Sequence, residues 1–502
     1  MGAPLSEARK KGKMMRTIKT LLLLTLLFTA TGCKRITAFF HGGRTSSEKL
    51  ICHIDPSTLD TRFVISPDGR HIAYESIVKD KWFVVVDGKE GQPFDATSGL
   101  IFSPDSQRVA FVDIEAISSG VVLDGKMLDG IPGHIYHRID KLIFSPDSRR
   151  VAYVAQNGRK RFVVLDGKEE PSYDDIDRLT FSPDSRHFAY MAQIGSKQWA
   201  VVLDSKEEPS YDDIDRLTFS PDSRHFAYMA RIGSKQWAVV LDGKVGKPYD
   251  GIGKVDIEIR LDNDIHSGQI DYGSLIFSPD SQRVAYVAQN GRKWFVVADG
   301  NELGPYDGIG QGNLVFSPDS RLLAYVAKVG GKQFVVIDGK VEQSYGVIYA
   351  SILTFSPDSR HVAYVAGDGA NDKWFVVVDG KEDAPYDKID GLTFSPNSRR
   401  TAYKAEAGKM YFVVVDGKVE KSGEDVGTPV FSPDSRQVAY AVKIGEKWNV
   451  MVQGKMGKPI DDFIKGSEIV FDSPHEFHYL AQKNTAKNGS SFDVYLVEEA
   501  IY

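Results

Sequence analysis

Between residues 179 and 203 the apolar and polar positions change rhythm. Leu179-Thr180-Phe181 alternates, as a strand with one covered face does, whereas Phe188-Ala189-Tyr190-Met191-Ala192 and Trp199-Ala200-Val201-Val202-Leu203 are apolar runs rich in β-formers. Residues with definite backbone demands separate them. In Ser182-Pro183-Asp184-Ser185 the proline fixes its own φ and the aspartate can accept a backbone N–H just ahead; Gly195-Ser196-Lys197 turns the chain again. In most copies Asp-Gly-Lys follows the third run, as at Asp166-Gly167 and Asp379-Gly380, and Asp-Gly marks a two-residue hairpin turn. A segment ending in Tyr-Asp, as at Tyr173-Asp174 and Tyr386-Asp387, supplies a fourth strand or the link onward. Four strands of about 5–6 residues with connections of about 4 fill roughly forty residues.

This unit recurs. Its proline falls at Pro67, Pro104, Pro146, Pro183, Pro221, Pro279, Pro318, Pro357, Pro396, Pro433 and, in a degenerate copy, Pro474. The spacings lie between 37 and 42 residues apart from one of 58, a period that marks a repeat architecture. Short turns force the middle strands to be antiparallel, yet runs such as Val151-Ala152-Tyr153-Val154-Ala155 do not alternate, so both faces must be covered. The pattern therefore predicts an all-β protein, a β-propeller of about eleven four-stranded antiparallel blades.

Eleven blades exceed the usual 4 to 8 of one ring, and two rings are the simplest expectation. The 58-residue spacing sets the division: blades 1–5 over residues 50–250, an insert over 251–270, and blades 6–11 over 271–502. The last copy ends at Phe492–Leu496 without an Asp-Gly-Lys hairpin, and Lys49-Leu50-Ile51-Cys52 is placed to add its missing strand. Residues 168–206 recur at 206–244 with only Gln193 replaced by Arg231 and Ser205 by Gly243, which argues for a tolerant scaffold over a fixed catalytic constellation.

The Phe-Ser-Pro-Asp-x-Arg-x-Val-Ala-Tyr motif resembles the WD40-like propeller repeat of TolB-type proteins and of prolyl oligopeptidase propeller domains, over roughly residues 60–500. The resemblance implies the fold and says little about function. No extra domain like that of TolB precedes the array, so a role in the Tol system does not carry over.

The N-terminus differs from the rest. Arg9, Lys10, Lys11, Lys13, Arg16 and Lys19 precede Leu21–Phe28, and Ala30-Thr31-Gly32 leads to Cys33. A basic segment, a short apolar run and small residues make a secretory signal over residues 1–32, with Met14-Met15 as an alternative start. The run is shorter than the roughly 20 residues a membrane span needs. Small residues directly before a cysteine resemble the lipobox of bacterial lipoproteins, although Ala30 stands where Leu is usual; the resemblance implies acylation of Cys33. Residues 33–49 read as a tether, and Lys34, rather than Asp, favours an outer-membrane or surface location facing periplasm or exterior. With Cys33 acylated, Cys52 has no partner for an intrachain disulfide.

Residues 1–32 hold six of the 62 Lys and Arg and one of the 68 Asp and Glu, so the remainder carries a net charge of −11. With no basic patch in the sequence, nucleic acid is not an expected partner. No Gly-x-Ser-x-Gly elbow, His-Glu-x-x-His, Cys-x-x-Cys pair, phosphate loop or dinucleotide fingerprint appears, so no catalytic residue, metal or cofactor is assigned.

The remaining polar positions are repeat features. The turn aspartates (Asp105, Asp147, Asp184, Asp222, Asp280, Asp319, Asp358, Asp434) could form a carboxylate ring, but Asn397 replaces one and bonding to local backbone explains them. His71, His187, His225 and His361, each after the arginine of the turn, read as exposed turn residues. In the insert, Asp256, Glu258, Asp262, Asp264 and His266 interleave with aliphatic residues, which fits either a calcium site or the solvated face of an extra strand pair; the latter is preferred. Trp82, Trp199, Trp237, Trp294, Trp374 and Trp448 open the third strand, where packing between blades is preferred over a ligand-stacking circle. The sum is an exported, lipid-anchored scaffold for an envelope or extracellular protein, touching membrane only through its anchor. The alternatives are a propeller-channel lyase or hydrolase acting on glycans or peptides, and a structural spacer.

Overall fold

The computed structural model describes residues 39–41, 44–58, 63–128, 136–233, 235–261, 264–271, 275–310, 314–369, 373–485 and 491–501. Cys33 and the signal segment lie outside them. Apart from one 3-10 turn at Pro56–Thr58, the regular structure of these residues is all strand. Each copy of the motif folds as one antiparallel meander. In blade 4, Asp175–Phe181, Phe188–Ile194, Gln198–Leu203 and Lys206–Glu207 pair in chain order. The fourth strand is extended by a bridge between Trp199 and Tyr211.

The middle strands are buried on both faces, as their unbroken apolar runs predict. Phe188, Tyr190 and Ala192 point into a core shared with blade 3, while Ala189 and Met191 between them point into a core shared with blade 5. A strand with no wet face suits an apolar residue at every position.

Eleven such cores join the blades. They link blade 1 to 2 through Phe94 and Phe111, and continue without a break to blade 10 against 11 through Val450 and Tyr479. The eleventh joins blade 11 to blade 1 through Leu480, Val494, Ile72 and Val85. Blades 5 and 6 pack on each other across the insert, through Met229, Val239, Leu275 and Tyr286. Among the described residues no core joins blade 1 to 5 or blade 6 to 11, as two separate rings would require. The expected pair of rings is thus replaced by one closed cycle, because the insert leaves the inter-blade surface instead of interrupting it.

Closure comes from the N-terminal side. Arg44–Ile54 pairs antiparallel with Phe492–Ile501 and supplies the outer strand of blade 11, with a bulge at Leu50/Cys52. The strand expected at Lys49–Cys52 is present, but it begins at Arg44, inside the segment read as tether.

A second belt ties the blades at the Ser-Pro-Asp-Ser turns. In blades 1 to 9 the backbone N–H of the turn aspartate, or of Asn397 in blade 9, donates to the last serine of the next blade's turn: Asp147 to Ser185 at 3.0 Å, Asp184 to Ser223 at 3.0 Å, and, across the insert, Asp222 to Ser281 at 2.9 Å. Ser281 sits at φ 65°. Glycine adopts that backbone without strain and removes the hydroxymethyl group, so Ser281→Gly is expected to cost about 1 kcal/mol, mainly through one lost hydrogen bond. Chemical denaturation followed by tryptophan fluorescence checks this; no change in midpoint would show that the bond between blades 5 and 6 is not made.

The first strands face the ring axis. First strands of neighbouring blades lie directly against each other, as Lys141 of blade 3 against Ile176 of blade 4 shows at 2.9 Å. Eleven sheets spaced about 10 Å apart set their mid-lines on a circle about 35 Å across, and first strands about 7 Å further in face one another roughly 20 Å apart, backbone to backbone, across the axis.

Candidate functional site

In most blades the first strand carries a bulge at its centre, and there the repeat stops repeating. An aliphatic or aromatic residue precedes the bulge (Ile139, Ile176, Ile214, Ile389) and Leu follows it (Leu142, Leu179, Leu217, Leu392), both inside the inter-blade cores. Between them, blades 2, 3, 4, 5 and 9 hold Ser98-Gly99, Asp140-Lys141, Asp177-Arg178, Asp215-Arg216 and Asp390-Gly391. The strand register shifts at each of these pairs. Gly99 and Gly391 take φ of 68° and 62°, which glycine adopts without strain. Lys141, Arg178 and Arg216 take φ of 55°, 53° and 56° at the equivalent positions, each at a cost of about 1–2 kcal/mol for an L-residue with a Cβ.

The strained cations reach forward around the ring. Lys141 Nζ donates to Asp177 Oδ1 at 2.6 Å, and Arg178 Nη2 to Asp215 Oδ1 at 3.5 Å. Each aspartate also accepts the backbone N–H of the residue after it, Arg178 or Arg216, at 2.8 Å. Burial alone would raise the Asp177 carboxyl, but Lys141 and the Arg178 N–H outweigh it and hold its pKa below the ordinary aspartate value. Asp177 and Arg178 remain about half exposed on the axial side. The result is a fixed, solvent-facing ladder of alternating charge across blades 3, 4 and 5.

Elsewhere the same position is enlarged. In blade 6 the insert stands between Ile252 and Leu275 as an antiparallel hairpin, Lys254–Leu261 with Asp264–Asp271. The extra strand pair is therefore present; the side chains of its acidic residues lie outside the described ones. Blades 8 and 11 hold longer interruptions, Tyr349–Ile352 and Ile464–Glu468. Gly427 and Thr428 of blade 10 and Gly466, Ser467 and Glu468 of blade 11 line a cleft of about 410 Å³ with Trp448 and Phe463.

The repeated polar residues turn out to be structural. Asp184 Oδ1 accepts Ser182 Oγ at 2.6 Å and the Arg186 N–H at 3.0 Å, and the turns of blades 1 to 10 follow this pattern, Asn397 included, while the degenerate Ser473-Pro474-His475 turn of blade 11 does not. His71, His187, His225 and His361 are turn residues with exposed side chains, as expected, and Nδ1 of each lies 2.6–2.7 Å from the aspartate of the same blade's second hairpin turn, Asp87, Asp204, Asp242 and Asp379. Arg108, Arg150, Arg283 and Arg400 make the same link in other blades and lay their guanidinium 5.1–6.0 Å from a phenylalanine ring of the next blade. The six tryptophans all sit in the core between their own blade and the next, as preferred from the sequence.

The inner-strand ladder was not anticipated. Its signal was a Gly in two copies at a position where three others hold Lys or Arg, which marks a positive φ occupied by a residue that does not favour it.

Among the described residues no helix is long and apolar enough to cross a membrane, and no group of His, Cys, Asp and Glu is arranged to hold a metal. No family model and no curated protein matches the chain. Among solved structures it is similar to one described as a eukaryotic initiation factor (13% identity, TM-score 0.36, covering 72% of this chain and 89% of that one). It is also similar to the Dos1 propeller (13%, TM-score 0.29, 63% and 92%) and to TolB from Acinetobacter baumannii (15%, TM-score 0.22, 56% and 77%). The chain's own strand order carries the assignment: it is a closed β-propeller of eleven four-stranded antiparallel blades.

Proposed function

We propose that this protein is an exported scaffold, held at the cell envelope by a lipid on Cys33, that binds a partner protein through the inner-strand bulges lining its axis. The Ala30-Thr31-Gly32-Cys33 segment supports the anchor. The observation that carries the binding reading is the strain at Lys141, Arg178 and Arg216. Blades 2 and 9 use glycine at the same turn of the strand, so folding alone does not ask for a cation there, and strained positions of this kind collect at binding sites. An axial surface with first strands roughly 20 Å apart across it suits a protein segment better than a small substrate, which needs walls on all sides.

The test separates binding from stability. Replacing Lys141, Arg178 and Arg216 together by glycine relieves the strain while removing exposed pairs and adding chain entropy, so stability is expected to change by no more than about 1 kcal/mol per site. Residues 34–502 used as bait on envelope extract should retain a specific protein that the triple variant loses in parallel with the ladder's charges. Equal retention by both forms would remove the ladder from the binding surface. Metabolic labelling with an acyl probe, present in the natural chain and lost in Cys33→Ser, checks the anchor.

A further inference from the structure

The cleft between blades 10 and 11 has a definite cause. In the second strand, the position facing the next blade holds Val154, Met191, Met229, Val287, Val326 and Val365 in blades 3 to 8, and these side chains help to fill the inter-blade core. Blade 10 has Ala441 there. The small side chains at Ala441 and Gly427 line, and contribute to, the space of about 410 Å³. An unfilled core position is destabilising, so this interface has given up packing that the corresponding interfaces of blades 3 to 8 keep.

What lines the opening indicates an occupant. Val430, Ile469 and Phe463 make an apolar wall, and Phe463 stands edge-on to Trp448 with ring centroids 5.9 Å apart. Trp448 already accepts a cation, since Lys443 Nζ lies 6.0 Å from its ring centroid. Asp462 and Glu468 are exposed and lie at the edge of the same cleft; Asp462 Oδ1 accepts only the Phe463 N–H at 2.8 Å. Ser467 is fixed by accepting the Leu480 N–H at 2.9 Å. An apolar stem leading to a planar or compact cation matches this surface: the stem lies on the aliphatic and aromatic wall, and the charge reaches the indole and the two carboxylates.

We propose that the cleft takes the basic side chain, arginine or lysine, of a protein segment lying in the ring. This rests on the partner-protein reading above and names the chemistry by which the partner is gripped. It is a different part of the axial surface from the ladder of blades 3 to 5, so the two are tested separately.

The probe is a blocked Gly-Arg-Gly peptide, with its citrulline counterpart as a neutral isostere, titrated into residues 34–502 and followed by tryptophan fluorescence and calorimetry. The arginine peptide is expected to bind about tenfold or more tightly than the citrulline one, as for a charge-assisted contact. Ala441→Met installs the residue that blades 4 and 5 carry and pushes a longer side chain into the cleft, so arginine binding should weaken; an unchanged circular dichroism spectrum checks that the fold is kept. Glu468→Gln, on an exposed carboxylate, should weaken arginine binding and leave citrulline unchanged. Equal binding of the two peptides, or arginine binding unaffected by Ala441→Met, overturns the proposal. If Ala441→Met still captures the envelope protein at full strength, the cleft is not its grip, whereas loss of capture in the triple-glycine variant alone would leave the scaffold reading intact.

Discussion

Arg44→Ala should lower the stability of the ring by about 3–5 kcal/mol, the usual result of stripping one partner from a buried ion pair. Arg44 and Glu499 are almost fully enclosed, with side-chain exposures of 7% and 1%, where the first strand of the folded chain meets the last. The guanidinium Nε donates to Glu499, Nη1 donates to the Val450 carbonyl in blade 10 at 3.0 Å, and the group lies 5.2 Å from the centre of the Phe477 ring. Without it the Glu499 carboxylate keeps only the Tyr479 hydroxyl, at 2.8 Å. Replacing both charges, Arg44→Met with Glu499→Leu, should restore most of the loss, because the penalty belongs to the abandoned carboxylate. Denaturant unfolding of the single and double variants measures this. A single variant as stable as the natural chain would mean that the closing strand does not hold the ring.

Acid should weaken the ring through its turns. The carboxyls of Asp105, Asp147, Asp184, Asp222, Asp280, Asp319, Asp358 and Asp434 are all held below the ordinary aspartate value, first by the serine hydroxyl two residues earlier. The next cause is a backbone N–H in most of them. For a depressed carboxyl the stabilisation is complete above the unfolded-state pKa, about 3.9 for aspartate, and is lost as pH falls through the lower folded-state value. Melting temperature should therefore be flat from neutrality down to about pH 5 and fall steeply below about pH 4. The belt repeats in nearly every blade, so the fall should be cooperative. Asparagine already serves in blade 9, where Asn397 Oδ1 accepts Ser395 Oγ at 2.8 Å. Converting further turn aspartates to asparagine should make the acid limb shallower. An unchanged limb would place the acid sensitivity elsewhere, with the buried Glu48 between Lys458 and Lys483 as the next carboxyl to examine.

The sequence disclosed the blade and not the ring. Ser-Pro-Asp-Ser and Asp-Gly dictate their turns within four residues, and unbroken runs such as Val151–Ala155 require a neighbour on each face, so the sheet and its two-sided burial were readable. How many blades close a circle depends on the splay between sheets, which is set by Tyr190, Ala189 and Met191 meeting side chains about forty residues away in each direction. No local pattern encodes that angle, and the usual blade number of other propellers gave two rings where there is one. The closing strand was readable at Lys49–Cys52 because blade 11 visibly lacked a partner, but its start was placed late: Arg44, Ser46 and Glu48 look like a polar tether, while their buried positions are satisfied by Glu499 and two lysines.

The axial surface was hidden for a different reason. Asp177-Arg178 reads as an ordinary polar pair at a strand's wet edge, and nothing local shows that Lys141 from another blade reaches it. Ala441 is equally mute in a run of Val-Ala-Tyr-Ala-Val until it is set beside Met191 and Met229 in the superposed repeats. In a repeat protein, what all copies share builds the frame, and the departures at one repeated position show where the frame is used.

Electron microscopy of residues 34–502 tests the central claim most directly. Class averages viewed down the axis should show a single ring of eleven radial blades around an open centre. Two smaller rings, of five and six blades, would contradict it.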